Sequence, residues 1–185
     1  MAIEDPNLHL GNPRDSFHFG WTVARLREMG ALTVLDIGCW NGWLDMLLAK
    51  AGFGVHGLEP VASLVLAARE CAKSLGFPDY RVFQGKFNEV PLADKSYDAV
   101  ACYEVLEHMP FPEVEIAVGR MAQIARKGAL VSLPMQEARD NPEHLWTPSE
   151  AAINYLFGGR KGFAMEVREH AGTSIPPNYM IRFED

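Results

Sequence analysis

The chain has 185 residues, of which 48% are hydrophobic, and its acidic residues outnumber its basic ones by 24 to 17. This length suits one packed domain and is too short for two of ordinary size. The formal net charge of -7 argues against a broad phosphate-binding surface, and therefore against nucleic acid as a partner, and favours a small polar or neutral substrate.

The cysteine content and the hydropathy pattern bear on the compartment. Cys39, Cys71 and Cys102 are an odd number without metal-type spacing, so no disulfide framework is expected and a reducing cytoplasm is the simplest location. The opening segment MAIEDPNLHLG has no apolar core run, and no later segment approaches the roughly 20 apolar residues that span a bilayer. A soluble, cytoplasmic protein without a membrane partner is therefore predicted. Nothing in the sequence indicates an oligomeric state.

The predicted elements alternate between strands and helices for most of the chain. Short apolar runs rich in β-branched residues predict strands at about 32–37, 54–58, 80–84, 97–102 and 128–133, and segments of helical period predict helices at 17–29, 42–51, 61–75, 112–126 and 148–157. This alternation is typical of βα units around a parallel sheet. Two last runs, 164–170 and 179–185, alternate apolar and polar residues and predict an antiparallel strand pair at the sheet edge.

A glycine-containing turn follows the first predicted strand, in the segment VLDIGCWNG at 34–42. Gly38 and Gly42 allow a tight strand–helix turn and let a ligand approach the backbone. Asp36, at the end of the strand, can either fix the loop or accept a hydrogen bond from a cationic amine. Other strand–helix turns also contain glycines, so this turn taken alone fits a structural role as well as a binding site.

A carboxylate stands one βα unit later, in Glu59-Pro60 at the end of the second predicted strand. At this position a carboxylate can accept hydrogen bonds from both hydroxyls of a ribose. The alternative is an acid in a solvated loop. Together with the glycine turn, Glu59 indicates a cofactor that contains adenosine.

Four segments between about Val34 and Pro134 resemble, in order, the signature segments of class I S-adenosylmethionine-dependent methyltransferases. They are VLDIGCWNGWL, GLEP, QGKFNEVPLADKSYDAVACYEVLEHMPFPE and ARKGALVSLP. Within them, CYEVLEHMP at 102–110 is most similar to the ubiquinone-pathway O-methyltransferases and related small-molecule enzymes. The resemblance implies S-adenosylmethionine as the cofactor and a small-molecule substrate.

The resemblance also implies which residues contact the cofactor. They are Asp36, Gly38, Cys39 and Gly42 around the methionine part, Glu59 and Pro60 at the ribose, Lys86 and Phe87 in the turn near the adenine, and Cys102 and Tyr103 beneath the sulfonium. The Asn12-Pro13-Arg14 run is similar to the segment in which such enzymes carry an arginine directed at the cofactor carboxylate. The number of residues between this run and the glycine turn, however, matches the family pattern poorly.

Two positions depart from the family pattern. Trp40 replaces the middle glycine of the first loop, which is tolerable if its side chain points outward. Lys86 stands where an aspartate often receives the adenine amine, and a lysine cannot accept that hydrogen bond. Backbone groups and the face of Phe87 are the alternative means of adenine recognition.

The predicted fold is α/β, a Rossmann-like three-layer sandwich with a seven-stranded, mostly parallel sheet and a C-terminal antiparallel strand pair. A single methyltransferase domain over 1–185 is expected. Residues 1–30 would form an N-terminal helical cover, 31–135 the cofactor-binding core, and 136–185 the specificity loop, the last helix and the strand pair.

The residues after Tyr103 are the candidates for the chemistry. If they turn helically, Glu104, Glu107 and His108 share one face, since side chains at i, i+3 and i+4 align on a helix. With His144 from a later loop they could bind a divalent metal ion, as some similar enzymes are thought to do. The alternatives are that His108 or Glu107 acts as a general base, or that this is a structural turn without metal. Among these interpretations, a metal site is not the favoured one.

Aromatic side chains elsewhere support two further interpretations. Phe17, Phe19 and Trp21 form a stripe that fits a core helix better than a substrate lid. Trp146 and the 135–147 loop lie where ligands bind in open α/β sheets, so a specificity loop is expected there.

The predicted function is methyl transfer from S-adenosylmethionine to an oxygen or nitrogen of a small molecule. Such an enzyme mainly aligns the acceptor with the S–CH₃ bond and, for a hydroxyl, removes its proton. Two alternatives stay open. One is an RNA methyltransferase that uses the Glu/Glu/His metal site, which the acidic balance and the lack of a Lys/Arg run oppose. The other is a non-catalytic domain that binds the cofactor or a partner.

Overall fold

One seven-stranded sheet organises residues 11–135, 141–170 and 177–184, which are the residues that the computed structural model describes. Its strands are β1 (Thr33–Ile37), β2 (Gly54–Glu59), β3 (Arg81–Gln84), β4 (Tyr97–Tyr103), β5 (Ala125–Pro134), β6 (Ala164–Arg168) and β7 (Asn178–Phe183). The helices are α1 (Pro13–Glu28), α2 (Trp43–Lys50), α3 (Ala62–Ser74), α4 (Phe111–Ile124) and α5 (Glu150–Phe157).

The sheet order is β3-β2-β1-β4-β5-β7-β6, and only the pairings of β7 with β5 and with β6 are antiparallel. The predicted mostly parallel sheet with a C-terminal antiparallel pair is thereby confirmed. Strands β2 and β3 are added on one side of β1, and β4 is then added on its other side, so the direction of strand addition reverses after β3. In open α/β sheets this reversal opens a crevice at the carboxyl ends of the two central strands, where ligands bind.

Helices cover both faces of the sheet because the central strands carry apolar residues on both sides. One face packs Leu35, Val100 and Val131 against α4 and α5, and the other packs Val34 and Ala101 against α1 and α2. Trp21 belongs to the second core, so its interpretation as a core residue is confirmed.

Some element boundaries differ from the predictions. Helix α1 begins at Pro13 rather than Phe17, because Asn12 caps it by accepting hydrogen bonds from the backbone N–H groups of Arg14 and Asp15. Strand β5 begins at Ala125, directly after α4. Residues 136–140 of the predicted specificity loop and 171–176 between the last strands lie outside the described residues. Among the described helices, none has the length and apolar character that crossing a membrane requires.

Candidate functional site

Two adjoining cavities open at the carboxyl ends of the central strands. The first, of about 510 Å³, lies between the glycine turn, the end of β2, the end of β4 and α1. The second, of about 390 Å³, reaches the turn after β3. Both are lined by Gly38, Pro60, Val105 and His108, so the two cavities adjoin at these residues and together make up the space of the candidate site.

Most of the predicted cofactor residues line this space. The first cavity is bounded by Asp36, Gly38, Cys39, Glu59, Pro60 and Tyr103, and the second by Gly38, Pro60, Lys86 and Phe87. Gly42 and Cys102 line neither cavity. Gly42 is instead the N-cap of α2 in a left-handed conformation, and Cys102 is fully buried in the core.

Besides Gly42, two further left-handed residues shape the glycine turn. Gly38 has φ of 72°, and a Cβ atom added there would collide with the side chain of Val105. Trp40 has φ of 51°, so the tryptophan keeps the left-handed backbone that a glycine would allow, at a cost of about 1–2 kcal/mol. Trp40 lines the first cavity, but the residue is 47% exposed. A tryptophan therefore fits at this position because much of its side chain faces solvent.

Glu59 joins the glycine turn to the end of β2. One carboxylate oxygen accepts a hydrogen bond from the N–H of Trp40 at 3.1 Å, and the other accepts from the N–H of Val61 at 2.9 Å. Burial raises the pKa of Glu59, while these two hydrogen bonds act in the opposite direction. Each carboxylate oxygen has two lone pairs, so both retain capacity to accept from ligand hydroxyls.

A second buried acid lies behind Asp36. Asp45, in the first turn of α2, is fully buried and accepts a hydrogen bond from the Tyr80 hydroxyl at 2.5 Å. Burial raises the pKa of both Asp36 and Asp45, and the proximity of Asp45 raises that of Asp36 further. Two neighbouring buried carboxyl groups cannot both ionise at low cost, so we expect the pair to keep one proton between them.

The shared proton makes stability depend on pH. A carboxyl group whose pKa is raised on folding binds more protons in the folded state, so the free energy of unfolding falls as pH rises above the ordinary aspartate pKa of about 4. Asp45→Asn keeps an acceptor for Tyr80 and removes one acid. We expect the variant to match the wild type near pH 4 and to exceed it by about 1–3 kcal/mol at pH 8. Urea unfolding at both pH values measures this, and an equal pH dependence in the two proteins would show that the pair does not share a proton.

The backbone after β4 does not follow the predicted helical turn. Glu104 has φ of 55°, and the turn that follows is a short 3₁₀ segment, Leu106–His108. The Glu104 carboxylate accepts hydrogen bonds from the Ser132 hydroxyl at 2.6 Å and the Asn178 amide at 3.0 Å. The prediction that Glu104 shares a face with Glu107 and His108 is therefore wrong, because the left-handed residue turns it towards β5 and β7.

The other three candidate metal ligands do come together. Atoms of Glu107, His108 and His144 that can ligate a metal lie within 4.8 Å of one another, and Glu107 is only 1% exposed. The backbone carbonyl of Glu143 lies 3.2 Å from Nδ1 of His108. Since a carbonyl can only accept, Nδ1 carries the proton and Nε2 is left to bind a metal or accept a proton. One carboxylate and two imidazoles suit a borderline divalent cation, so this trio fits one.

Residues of α1 and of the loop after β5 complete the walls. Arg14, Asp15 and His18 line the first cavity from α1, which brings Arg14 to the cofactor side despite its sequence distance. Glu143 lines the first cavity and Leu145 the second, so the part of the specificity loop that the structure describes does border the site. Trp146 itself donates to the carbonyl of Leu106 at 2.8 Å. No sequence motif predicts His18 as a site residue. The nearest local signal is the Asn12 cap, which determines where the helix that carries His18 begins.

Similar proteins identify the family. The family described as a methyltransferase domain matches residues 34–128. The ubiquinone biosynthesis O-methyltransferase of Azorhizobium caulinodans is 36% identical over 105 residues, 55% of this chain and 41% of that protein. The chloroplastic magnesium protoporphyrin IX methyltransferase of Arabidopsis thaliana is 30% identical over 126 residues, 68% of this chain and 40% of that protein. The chain thus spans less than half the length of these two relatives.

A solved structure supports the same assignment at the level of the fold. The magnesium protoporphyrin IX methyltransferase of Synechocystis, crystallised with bound S-adenosylmethionine, superposes with a TM-score of 0.72 at 23% identity, covering 91% of this chain and 78% of that chain. The family match extends over half of the chain and includes the glycine turn, Glu59 and the residues after β4. This chain belongs to the methyltransferase domain family.

Proposed function

We propose that this protein transfers a methyl group from S-adenosylmethionine to an oxygen or nitrogen of a small molecule. The observation that carries the proposal is Glu59, a buried carboxylate that both fixes the glycine turn and lines the cavity beside it. A ribose whose two hydroxyls donate to Glu59 would lie where the two cavities meet, near Pro60. The bound cofactor of the Synechocystis relative supports the identity of the ligand.

The rest of the cofactor follows from this anchor. The adenine would lie in the second cavity beside Lys86 and Phe87, where the ring of Phe87 is buried under the guanidinium of Arg120. The methionine part would lie in the first cavity near Asp36 and Arg14, where the Arg14 guanidinium suits its carboxylate and an oxygen of Asp36 can accept a hydrogen bond from its ammonium group. Gly38 allows that part to approach the backbone.

A small acceptor suits the site better than RNA. The first cavity is bordered by α1 and by the residues after β4, and acidic residues outnumber basic ones in the chain. The relatives are named for ubiquinone biosynthesis and for magnesium protoporphyrin IX, and both names denote small molecules. An oxygen acceptor is favoured by the first of these names.

The protein's chemical task is limited because a sulfonium is an activated methyl donor. The acceptor oxygen attacks the methyl carbon, the S–CH₃ bond breaks, and the acceptor proton must leave. His108 and Glu107 are the proposed residues for that proton, with Nε2 of His108 as the accepting atom. If a divalent cation is used, Glu107, His108 and His144 would hold it, and it would supply positive charge that promotes ionisation of the acceptor hydroxyl.

Calorimetry with S-adenosylhomocysteine and transfer from methyl-labelled S-adenosylmethionine test the proposal together. We expect saturable binding, and label in the small-molecule fraction when a metabolite extract and total RNA are both offered. A folded protein that does not bind S-adenosylhomocysteine would contradict the proposal. Label in RNA would favour the RNA methyltransferase alternative, and binding without transfer to either pool would favour the non-catalytic one.

A further inference from the structure

The wall that α1 contributes to the first cavity carries an unusual histidine. His18 lines this cavity, is only 3% exposed, and its Nε2 atom has no hydrogen-bond partner. A buried polar atom without a partner costs about 1–3 kcal/mol. This cost lowers the stability of the folded protein. Residues that bind a ligand commonly carry such a cost.

The imidazole is held in place by stacking on Tyr103, the last residue of β4. The two ring centroids are 5.2 Å apart and the ring planes are 26° apart. The Thr22 hydroxyl donates to the carbonyl of His18 at 2.6 Å, and the Tyr103 hydroxyl lies 2.5 Å from the Thr22 oxygen. Because Thr22 has given its proton to the carbonyl, Tyr103 must be the donor to Thr22. These contacts fix both rings before any ligand arrives.

The imidazole is neutral over the physiological range. Burial, together with smaller effects of the nearby Arg14 charge and of the neighbouring His170, lowers the pKa of His18 to about 3. A neutral imidazole has one N–H donor and one accepting nitrogen. It can therefore form a hydrogen bond with an uncharged partner, but it is too weak a base to hold the proton released in methyl transfer.

The neighbouring polar groups favour a hydroxyl as that partner. Glu104, directly after Tyr103, lines the same cavity and is oriented by its hydrogen bonds from Ser132 and Asn178. A hydroxyl can donate to a carboxylate while its oxygen accepts from an imidazole N–H. The stacked rings of His18 and Tyr103 also border this end of the cavity, and flat side chains suit a planar ring.

We propose that the acceptor binds between α1 and the end of β4, with a hydroxyl of a planar ring hydrogen-bonded to Nε2 of His18. The inference rests on the proposed function and assigns the part of the first cavity beside His18 and Tyr103 to the acceptor. His18 binds and orients the acceptor there. The reacting hydroxyl is a second one on the same ring: its proton goes to the Glu107 and His108 side as its O–CH₃ bond forms and the S–CH₃ bond breaks, and the other product is S-adenosylhomocysteine.

The test uses 4-nitrocatechol, a planar hydroxylated ring whose absorbance reports its binding and its methylation. His18→Phe keeps the ring that stacks on Tyr103 and removes both nitrogens. We expect this variant to bind 4-nitrocatechol about 5- to 20-fold more weakly than the wild type when both are loaded with S-adenosylhomocysteine, as the loss of a neutral hydrogen bond predicts. Its affinity for S-adenosylhomocysteine should be unchanged, and its melting temperature unchanged or higher, because a buried unpaired atom is removed.

Two further variants separate binding from structure. Phe19→Leu changes a neighbouring side chain of α1 that packs on the core, and should leave 4-nitrocatechol binding at the wild-type level. His18→Gln restores a polar group near the position of Nε2 and should recover most of the affinity that His18→Phe loses, a recovery that a purely structural role would not produce.

The outcomes that overturn the inference differ from those that overturn the proposed function. Wild-type affinity for 4-nitrocatechol in His18→Phe would overturn the inference, and so would failure of the loaded wild type to bind the compound. An equal loss of S-adenosylhomocysteine affinity in His18→Phe would move His18 to the cofactor end, which also overturns it. Failure of the wild type to bind S-adenosylhomocysteine at all would instead overturn the proposed function.

Discussion

Glu59→Ala is expected to weaken the binding of S-adenosylhomocysteine about 100-fold, which corresponds to roughly 3 kcal/mol. Two charge-assisted hydrogen bonds from the ribose would be lost from a carboxylate that is only 5% exposed. The N–H groups of Trp40 and Val61 would also lose their acceptor, so the glycine turn would no longer be held in its binding conformation. Isothermal titration calorimetry measures the change.

Two control variants separate the effect of the net charge from the effect of the position of Glu59. Glu59→Gln keeps the size of the side chain and one accepting oxygen, so its affinity should fall between those of the wild type and Glu59→Ala. Glu70→Ala removes an exposed acid from α3 and changes the net charge by the same amount. If Glu59→Ala and Glu70→Ala bind S-adenosylhomocysteine equally well, Glu59 is not part of the site.

His108→Ala is expected to lower kcat by about 100- to 10,000-fold, the range that positioned acid–base groups contribute. The affinity for S-adenosylhomocysteine should fall far less than kcat: His108 lines both cavities, but its imidazole contacts the Glu143 carbonyl rather than the glycine turn. His56→Gln is the matched control, since that histidine lies in β2 and lines neither of the two cavities. Steady-state kinetics with a confirmed acceptor measures the effect.

Chelation then distinguishes the two mechanisms that the trio of Glu107, His108 and His144 permits. If a divalent cation is required, EDTA should abolish turnover, added metal should restore it, and His144→Ala should match His108→Ala because each removes a ligand. If His108 acts alone as the base, EDTA should have no effect and His144→Ala should be much milder. Wild-type turnover by both His108→Ala and Glu107→Ala would exclude both mechanisms.

The sequence predicted the fold, and it predicted that the glycine turn and Glu59 come together, because both features depend on local signals. Alternating strand and helix patterns predicted the sheet, which the structure confirms, and the glycine turn with Glu59 predicted a site that the structure assembles. The family recognised from these segments is also confirmed. The roles of Lys86 and Phe87 beside the adenine, the domain division and the cytoplasmic location stay predictions.

The acceptor end was harder to predict because it depends on contacts between distant parts of the chain. Glu104 was grouped with Glu107 and His108 from helical spacing, but its orientation is set by Ser132 and Asn178, which lie on other strands. His18 reaches the site only because α1 packs across the end of β4. The positive φ of Glu104 was not predictable, because no residue pattern in a single sequence indicates a left-handed backbone at a glutamate.

Strand order also determines when the two ends of the site can form during synthesis. Strand β7 lies between β5 and β6, so neither of these strands can complete its pairing until β7 has left the ribosome. The cofactor end, built between β1 and β4, has its strands available much earlier. A nascent chain could therefore assemble the cofactor end while the edge of β5 is still unpaired, and exposed strand edges are prone to aggregation. A ligand that binds the cofactor end at this stage would stabilise the growing chain before Asn178 of β7 is available to orient Glu104 at the acceptor end.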